Sequence, residues 1–222
     1  MILTPIALPD LPGALAAFDR CLDGEPLGQK VFRRIAASLD WVVGGDLELS
    51  QDPLHQRQAV ALCRAFGMGI VEEPPTASYT WDGQAVRVLM EPSVIVHEVG
   101  HLQTCAPERR TVCDFGLGAG PETGLRTEAD NAMTVFGVER ELEEALASLQ
   151  GIIWEAELGQ PAILAFLEQN WMEGGANQQN RTHYLKCLHQ LARHGLIDQD
   201  GYPTNRLREC GDAEFLTPLT QI

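Results

Sequence analysis

The sequence predicts an α+β fold that is predominantly helical, with a small β-sheet or hairpin placed directly before a buried helix. Three observations carry the prediction. Apolar residues recur at helical spacing along most of the 222 residues. A single stretch, residues 77–90, reads as two short strands around Asp82-Gly83. The segment that follows, from Pro92, has an apolar body of Val94, Ile95, Val96, Val99 and Leu102.

Taken in order, residues 11–22 and 26–39 read as short helices. Asp52-Pro53 is an N-cap followed by Pro at the first helical position, and Leu54, Ala61, Leu62, Ala65 and Phe66 carry an apolar stripe to about Gly67. Residues 71–76 read as a loop. Residues 77–81 and 84–90 then form the expected hairpin, since Asp-Gly suits a tight turn that needs positive φ. Pro92 and Ser93 open the next helix, and Cys105-Ala106-Pro107 closes it. Residues 111–124 are glycine-rich loop. Helical character returns near Leu125 and runs, with a break at Gly137, to Ile153. Further helices are expected over 161–172 and 180–193, the latter ended by Gly195, with an irregular tail from Ile197. The expected organisation is a single domain: a helical extension over 1–75, a core over 76–160, and C-terminal helices and tail over 161–222.

A formal net charge of −15 argues against nonspecific binding to nucleic acid or to anionic membranes. No run of residues approaches the ~20 apolar positions of a membrane helix. Pro5, Pro9 and Pro12 interrupt the N-terminal apolar stretch, which lacks a basic start, so it does not read as a signal peptide. The six cysteines are scattered, without a C-x-x-C pair, and read as reduced thiols of a cytoplasmic protein.

The chemistry is concentrated in His97-Glu98-Val99-Gly100-His101. Side chains four apart on a helix share a face, so both imidazoles reach one metal ion. Glu98 lies between them beside the same site. A catalytic site needs a further ligand. The extended H-E-x-x-H-x-x-G-x-x-H pattern is excluded, because position 104 is Thr and position 107 is Pro. The third ligand must come from a later element, and Glu122, Glu128, Asp130 and Glu139 are the candidates. Glu128 is preferred. Glu122 sits in the loop, Asp130 forms a capping box with Thr127, and Glu139 opens a charged run, Glu139-Arg-Glu-Leu-Glu-Glu, that reads as solvent-facing.

Downstream spacing adds to the motif. His97-Glu-Val-Gly-His101, then Arg109-Arg110, then Asp114-Phe115-Gly116 resembles the elongation factor P hydroxylase family. Its members carry H-E-x-S-H, an Arg-Arg pair and Asp-Phe-Gly at the same intervals. An acidic helical segment follows in the family, and Glu128-Ala-Asp-Asn131 resembles it after a shorter loop. The likeness spans roughly residues 92–160. Gly100 stands in place of the family's Ser, Asn131 in place of a second acidic residue, and the segment before the motif is longer.

The resemblance implies a relative of gluzincin peptidases, with a zincin-like site, that uses non-haem iron and oxygen to hydroxylate a modified lysine of a translation factor. Carried over, His97, His101 and Glu128 hold Fe(II), with Glu98 beside the metal. Arg109 and Arg110 offer a bidentate fork for a carboxylate of substrate or cosubstrate, and equally read as a solvated pair after a helix end. Asp114 is expected to orient a histidine through its second ring nitrogen. The first expectation is therefore an oxygen-dependent hydroxylase of an amino-acid, lysine-like or peptidyl substrate. The alternative is a zinc metallopeptidase in which Glu98 is the general base.

Overall fold

The structure, a computed structural model, describes residues 6–41 and 49–220. Its helices in chain order are α1 (Leu11–Cys21), α2 (Pro26–Ala37), α3 (Pro53–Ala65), α4 (Pro92–Thr104), α5 (Arg126–Asn131), α6 (Gly137–Glu157), α7 (Ala162–Glu168), α8 (Gln178–Arg193), α9 (Asp212–Phe215) and α10 (Thr217–Thr220). Two strands, β1 (Gly69–Val71) and β2 (Ala85–Arg87), form a parallel pair with Ile70 opposite Val86. The fold is thus mostly helical with one small sheet. Among the described residues no helix is long and apolar enough to cross a membrane.

Most boundaries follow the local chemistry. Asp52 caps α3 by accepting a hydrogen bond from the Leu54 amide. α4 begins at Pro92 and stops at Thr104, where Cys105 turns extended ahead of Pro107. The hairpin is corrected. The Asp82-Gly83 turn forms, with Asp82 accepting from the Gln84 and Ala85 amides and Gly83 at φ 91°. Only an isolated antiparallel bridge, Trp81 to Val86, remains beside it. The reason lies in the backbone of Trp81. Its carbonyl accepts from the Asp114 amide and its amide donates to the Asp114 carboxylate, so its pairing groups are turned to the later loop. β2 pairs instead with β1, in a stretch whose end reads as loop.

The chain divides into two compact units, one formed by the described residues up to Ser50 with Ile152–Thr204, the other by Gln51–Gly151 with Asn205–Ile222. The division is interleaved rather than linear, because α6 crosses it at Gly151–Ile152.

The first unit is organised around aromatic side chains. Phe18, Phe32, Phe166 and Tyr184 are essentially excluded from solvent, and the Phe18 and Phe32 rings lie 4.8 Å apart. The Tyr184 hydroxyl, buried with them, donates to the Gly28 carbonyl at 3.0 Å.

In the second unit α3 packs on α4, with Cys63 against Ile95. α4 is buried along nearly its whole length; of its residues only Val94 and His97 are half-exposed. The first half of α6 crosses α4 at two glycines. A Cβ on Gly100 would sit 2.2 Å from the Ala147 carbonyl oxygen, and one on Gly151 would sit 3.1 Å from the His97 Cα. Backbone therefore meets backbone, which brings the preceding turn of α6 up to the histidines.

Candidate metal centre

That turn carries Glu144. The Nε2 atoms of His97 and His101 lie 3.9 Å and 3.5 Å from the same Glu144 carboxylate oxygen. One ligand atom from each of the three residues falls within 4.8 Å of the others. Three donors at ~2.1 Å from one ion, at tetrahedral angles, would be roughly 3.4 Å apart. The two imidazole-to-carboxylate distances are therefore within about 0.5 Å of such a set. Two neutral imidazoles and a carboxylate suit zinc or non-haem iron.

The electrostatics favour a cation at this position. Burial pulls the His101 imidazole down to about 3, despite the nearby Glu144 carboxylate, so its lone pair is free at neutral pH. Burial acts to raise the Glu144 carboxyl, but His101, His97 and Arg140 outweigh it and hold it below the usual range. Glu98 and Asp114 face the same cavity of about 230 Å³. Burial, then Asp114 and Glu144, push the Glu98 carboxyl well above its ordinary value. Four carboxyl groups, those of Glu98, Asp114, Glu122 and Glu144, line this cavity, and among the described residues Arg140 is the one lysine or arginine on its wall. A divalent cation at the His97, His101 and Glu144 donors would add positive charge to this acidic set.

Aromatic rings fix one histidine. His101 stacks on Phe115 at 5.5 Å and 21°, and Phe115 stacks on Trp81 at 5.4 Å and 2°. Phe115 is held there by a turn in which Asp114, Phe115 and Gly116 all have positive φ, of 41°, 54° and 72°. Non-glycine residues adopt that conformation at a cost, and such strain tends to collect at functional sites. It is retained here because Asp114 is fastened by both Trp81 and Thr123, whose hydroxyl donates to the carboxylate at 2.6 Å.

The sequence expectations fare unequally. His97, Glu98 and His101 come together on the cavity wall. Glu128 does not join them; it is exposed on α5. α5 is only a short helix, and its acidic residues have other surroundings: Asp130 accepts a hydrogen bond from the Ala119 amide. Glu139 lies near the Thr217 hydroxyl, at 3.5 Å. Glu122 does line the cavity but stands outside the donor cluster.

Arg109 and Arg110 line no part of this cavity. Arg109 is only 3% exposed and binds Asp212, Glu143 and the Phe115 carbonyl. Arg208, fully enclosed, joins the network through Asp212 and the Thr104 carbonyl. These arginines fasten the C-terminal segment to α4 and α6, with Glu143 held next to Glu144. Arg110 donates to the Arg208 carbonyl. Asp114 orients neither imidazole; both Nδ1 atoms are buried without a hydrogen-bond partner among the described residues.

Glu144 is the residue that sequence reasoning missed. A signal for it exists. Glu144, Ala147, Ser148 and Gly151 share one face of α6, and small residues on a face mark close approach of another helix.

No family model matches this chain, and neither a curated protein nor a solved structure matches it.

Proposed function

We propose that this chain is a mononuclear metalloenzyme, and that it is an iron- and oxygen-dependent hydroxylase of an amino-acid or peptidyl substrate. The observation that carries the metal is the convergence of His97, His101 and Glu144 on one wall of a partly open cavity. The oxidative chemistry is supported by the resemblance of the motif region to the elongation factor P hydroxylases. Two of the segments that carry that resemblance are packed around the donor set, while the acidic segment at Glu128 is not: Phe115 lies on His101, and Arg109 on the neighbour of Glu144.

Bound Fe(II) would supply oxygen activation at positions left open by a facial set of three protein ligands. The chain's own part is to hold and to exclude. α4 presents both Nε2 atoms to one side, and α6 presents the carboxylate. Phe115 and Leu117, both buried, give the cavity an apolar wall beside His101. Glu98 holds a proton position on the cavity wall.

A second reading rests on that same Glu98. In a zinc peptidase its carboxylate takes the proton of the attacking water and returns it to the leaving amine. The two readings part on metal and on oxygen. Protein purified without oxygen is expected to contain iron, and Fe(II) is expected to support oxygen consumption with lysine or lysyl peptides. Native zinc, together with no oxygen uptake across such a panel, would exclude the hydroxylase. Glu98→Gln separates them again: a peptidase loses turnover, whereas a hydroxylase keeps its metal and measurable activity.

A further inference from the structure

A pair of arginines in the sequence offered a clamp for a carboxylate, and the structure buries one of them in a structural network and directs both away from the cavity. The cation that does line the cavity is Arg140, on the turn of α6 before Glu144. Its Nε donates to the Leu117 carbonyl, which anchors the guanidinium plane against the glycine-rich wall. One terminal nitrogen stands 4.0 Å from Glu144, too far for a hydrogen bond. Neither terminal nitrogen has a hydrogen-bond partner among the described residues. The side chain is 37% exposed, so these donors face the cavity mouth rather than the core.

We infer that Arg140 is an anion seat, which binds a carboxylate of the substrate or of a small cosubstrate directly beside the metal centre. Arg with its inner nitrogen already fixed presents its remaining N–H groups as a planar fork, the geometry that a carboxylate matches with two parallel hydrogen bonds. Placement against the donor set makes the seat selective. Glu98, Asp114 and Glu122 line the cavity together with Glu144, so an anion is favoured beside Arg140 only when a divalent ion adds its charge to that of the guanidinium. The alternative duty for Arg140 is to neutralise Glu144. The 4.0 Å gap and the bond to Leu117 make it a poor partner for that purpose alone. Because Arg140 stands 4.0 Å from Glu144, a ligand held here would be oriented toward the donor set.

The inference rests on the metal centre proposed above, and the test keeps the two apart. Cobalt(II) is loaded into the metal-free full-length protein as a visible spectroscopic probe, and acetate or acetamide is then titrated. Acetate should perturb the cobalt spectrum. Arg140→Gln should weaken acetate about tenfold or more, the loss expected for charge-assisted hydrogen bonds, and leave acetamide unchanged. Arg140→Lys, which keeps the charge without the fork, should fall between. Equal acetate affinity in Arg140→Gln and the unaltered protein overturns the anion seat, as does a cobalt protein that ignores acetate. An Arg140→Gln protein that takes up no cobalt also overturns it, because Arg140 would then serve Glu144. If the unaltered protein takes up no cobalt, the metal centre itself falls, and the seat with it.

Discussion

Gly100→Ala is the change through which the geometry of the centre is most exposed to test. The added methyl would lie 2.2 Å from the Ala147 carbonyl oxygen. Ordinary C···O contacts are no shorter than about 3.3 Å, so α6 must retreat from α4 by roughly 1 Å. Glu144 is one turn before Ala147 and moves with it. Metal–ligand distances tolerate only about ±0.2 Å, so this retreat exceeds the tolerance severalfold. A fall of tenfold to a hundredfold or more in metal affinity is expected, the range found when ligand support is disturbed. Stability should also fall. Overpacking costs about 1–3 kcal/mol, against which alanine returns about 1 kcal/mol of helix propensity. Gly151→Ala is the graded control. Its methyl meets the His97 Cα at 3.1 Å and requires a shift of only a few tenths of an ångström. The assay is metal titration against a competing chelator, with urea unfolding of the metal-free protein alongside. The opposite sign would refute the reasoning: a stabilised Gly100→Ala protein, gaining alanine's propensity, with unchanged metal affinity.

Glu155 makes stability depend on pH. Burial and then Glu168 push its carboxyl from 4.5 up to about 8, so the folded protein holds a proton that the unfolded chain has released. Its effect on stability is therefore least harmful below about pH 4.5, and stability falls as pH rises toward 8, by ~1.4 kcal/mol per unit for one proton. Glu155→Gln should flatten that slope in denaturant unfolding curves; an unaltered slope would assign it to other groups. Arg109→Met should destabilise the protein by about 3 kcal/mol or more, because it leaves Glu143 buried with its main partner gone. A substrate clamp without structural duty would leave unfolding unchanged.

The legible parts of the sequence were those decided by neighbours along the chain. Asp52-Pro53 capped a helix, Pro92 opened one and Pro107 ended it, each through local backbone chemistry. The two histidines were legible for the same reason, since a single turn of α4 places them. Glu144 was not, because its position depends on how two helices cross. The charged run that contains it, Glu139-Arg-Glu-Leu-Glu-Glu, reads as a solvated face, yet Glu143 within it is fully buried and Glu144 lines the cavity. The burial of Glu143 depends on Arg109 and Arg208, a partnership that spans sequence separations no local pattern reveals. The hairpin failed in the same way. Asp82-Gly83 made its turn, but Asp114, more than thirty residues on, took the backbone groups of Trp81. Gly100 carried the needed hint: a glycine inside a buried helix marks a close approach, and here it is the approach of the helix that bears Glu144.

The proposed centre holds one metal ion between His97, His101 and Glu144. Its measure is the metal affinity of the unaltered protein, Glu144→Ala and Glu128→Ala, determined side by side. A single tightly held ion is expected, with affinity reduced a hundredfold or more by Glu144→Ala and unchanged by Glu128→Ala. An ion held equally well without Glu144, or lost with Glu128, would contradict it.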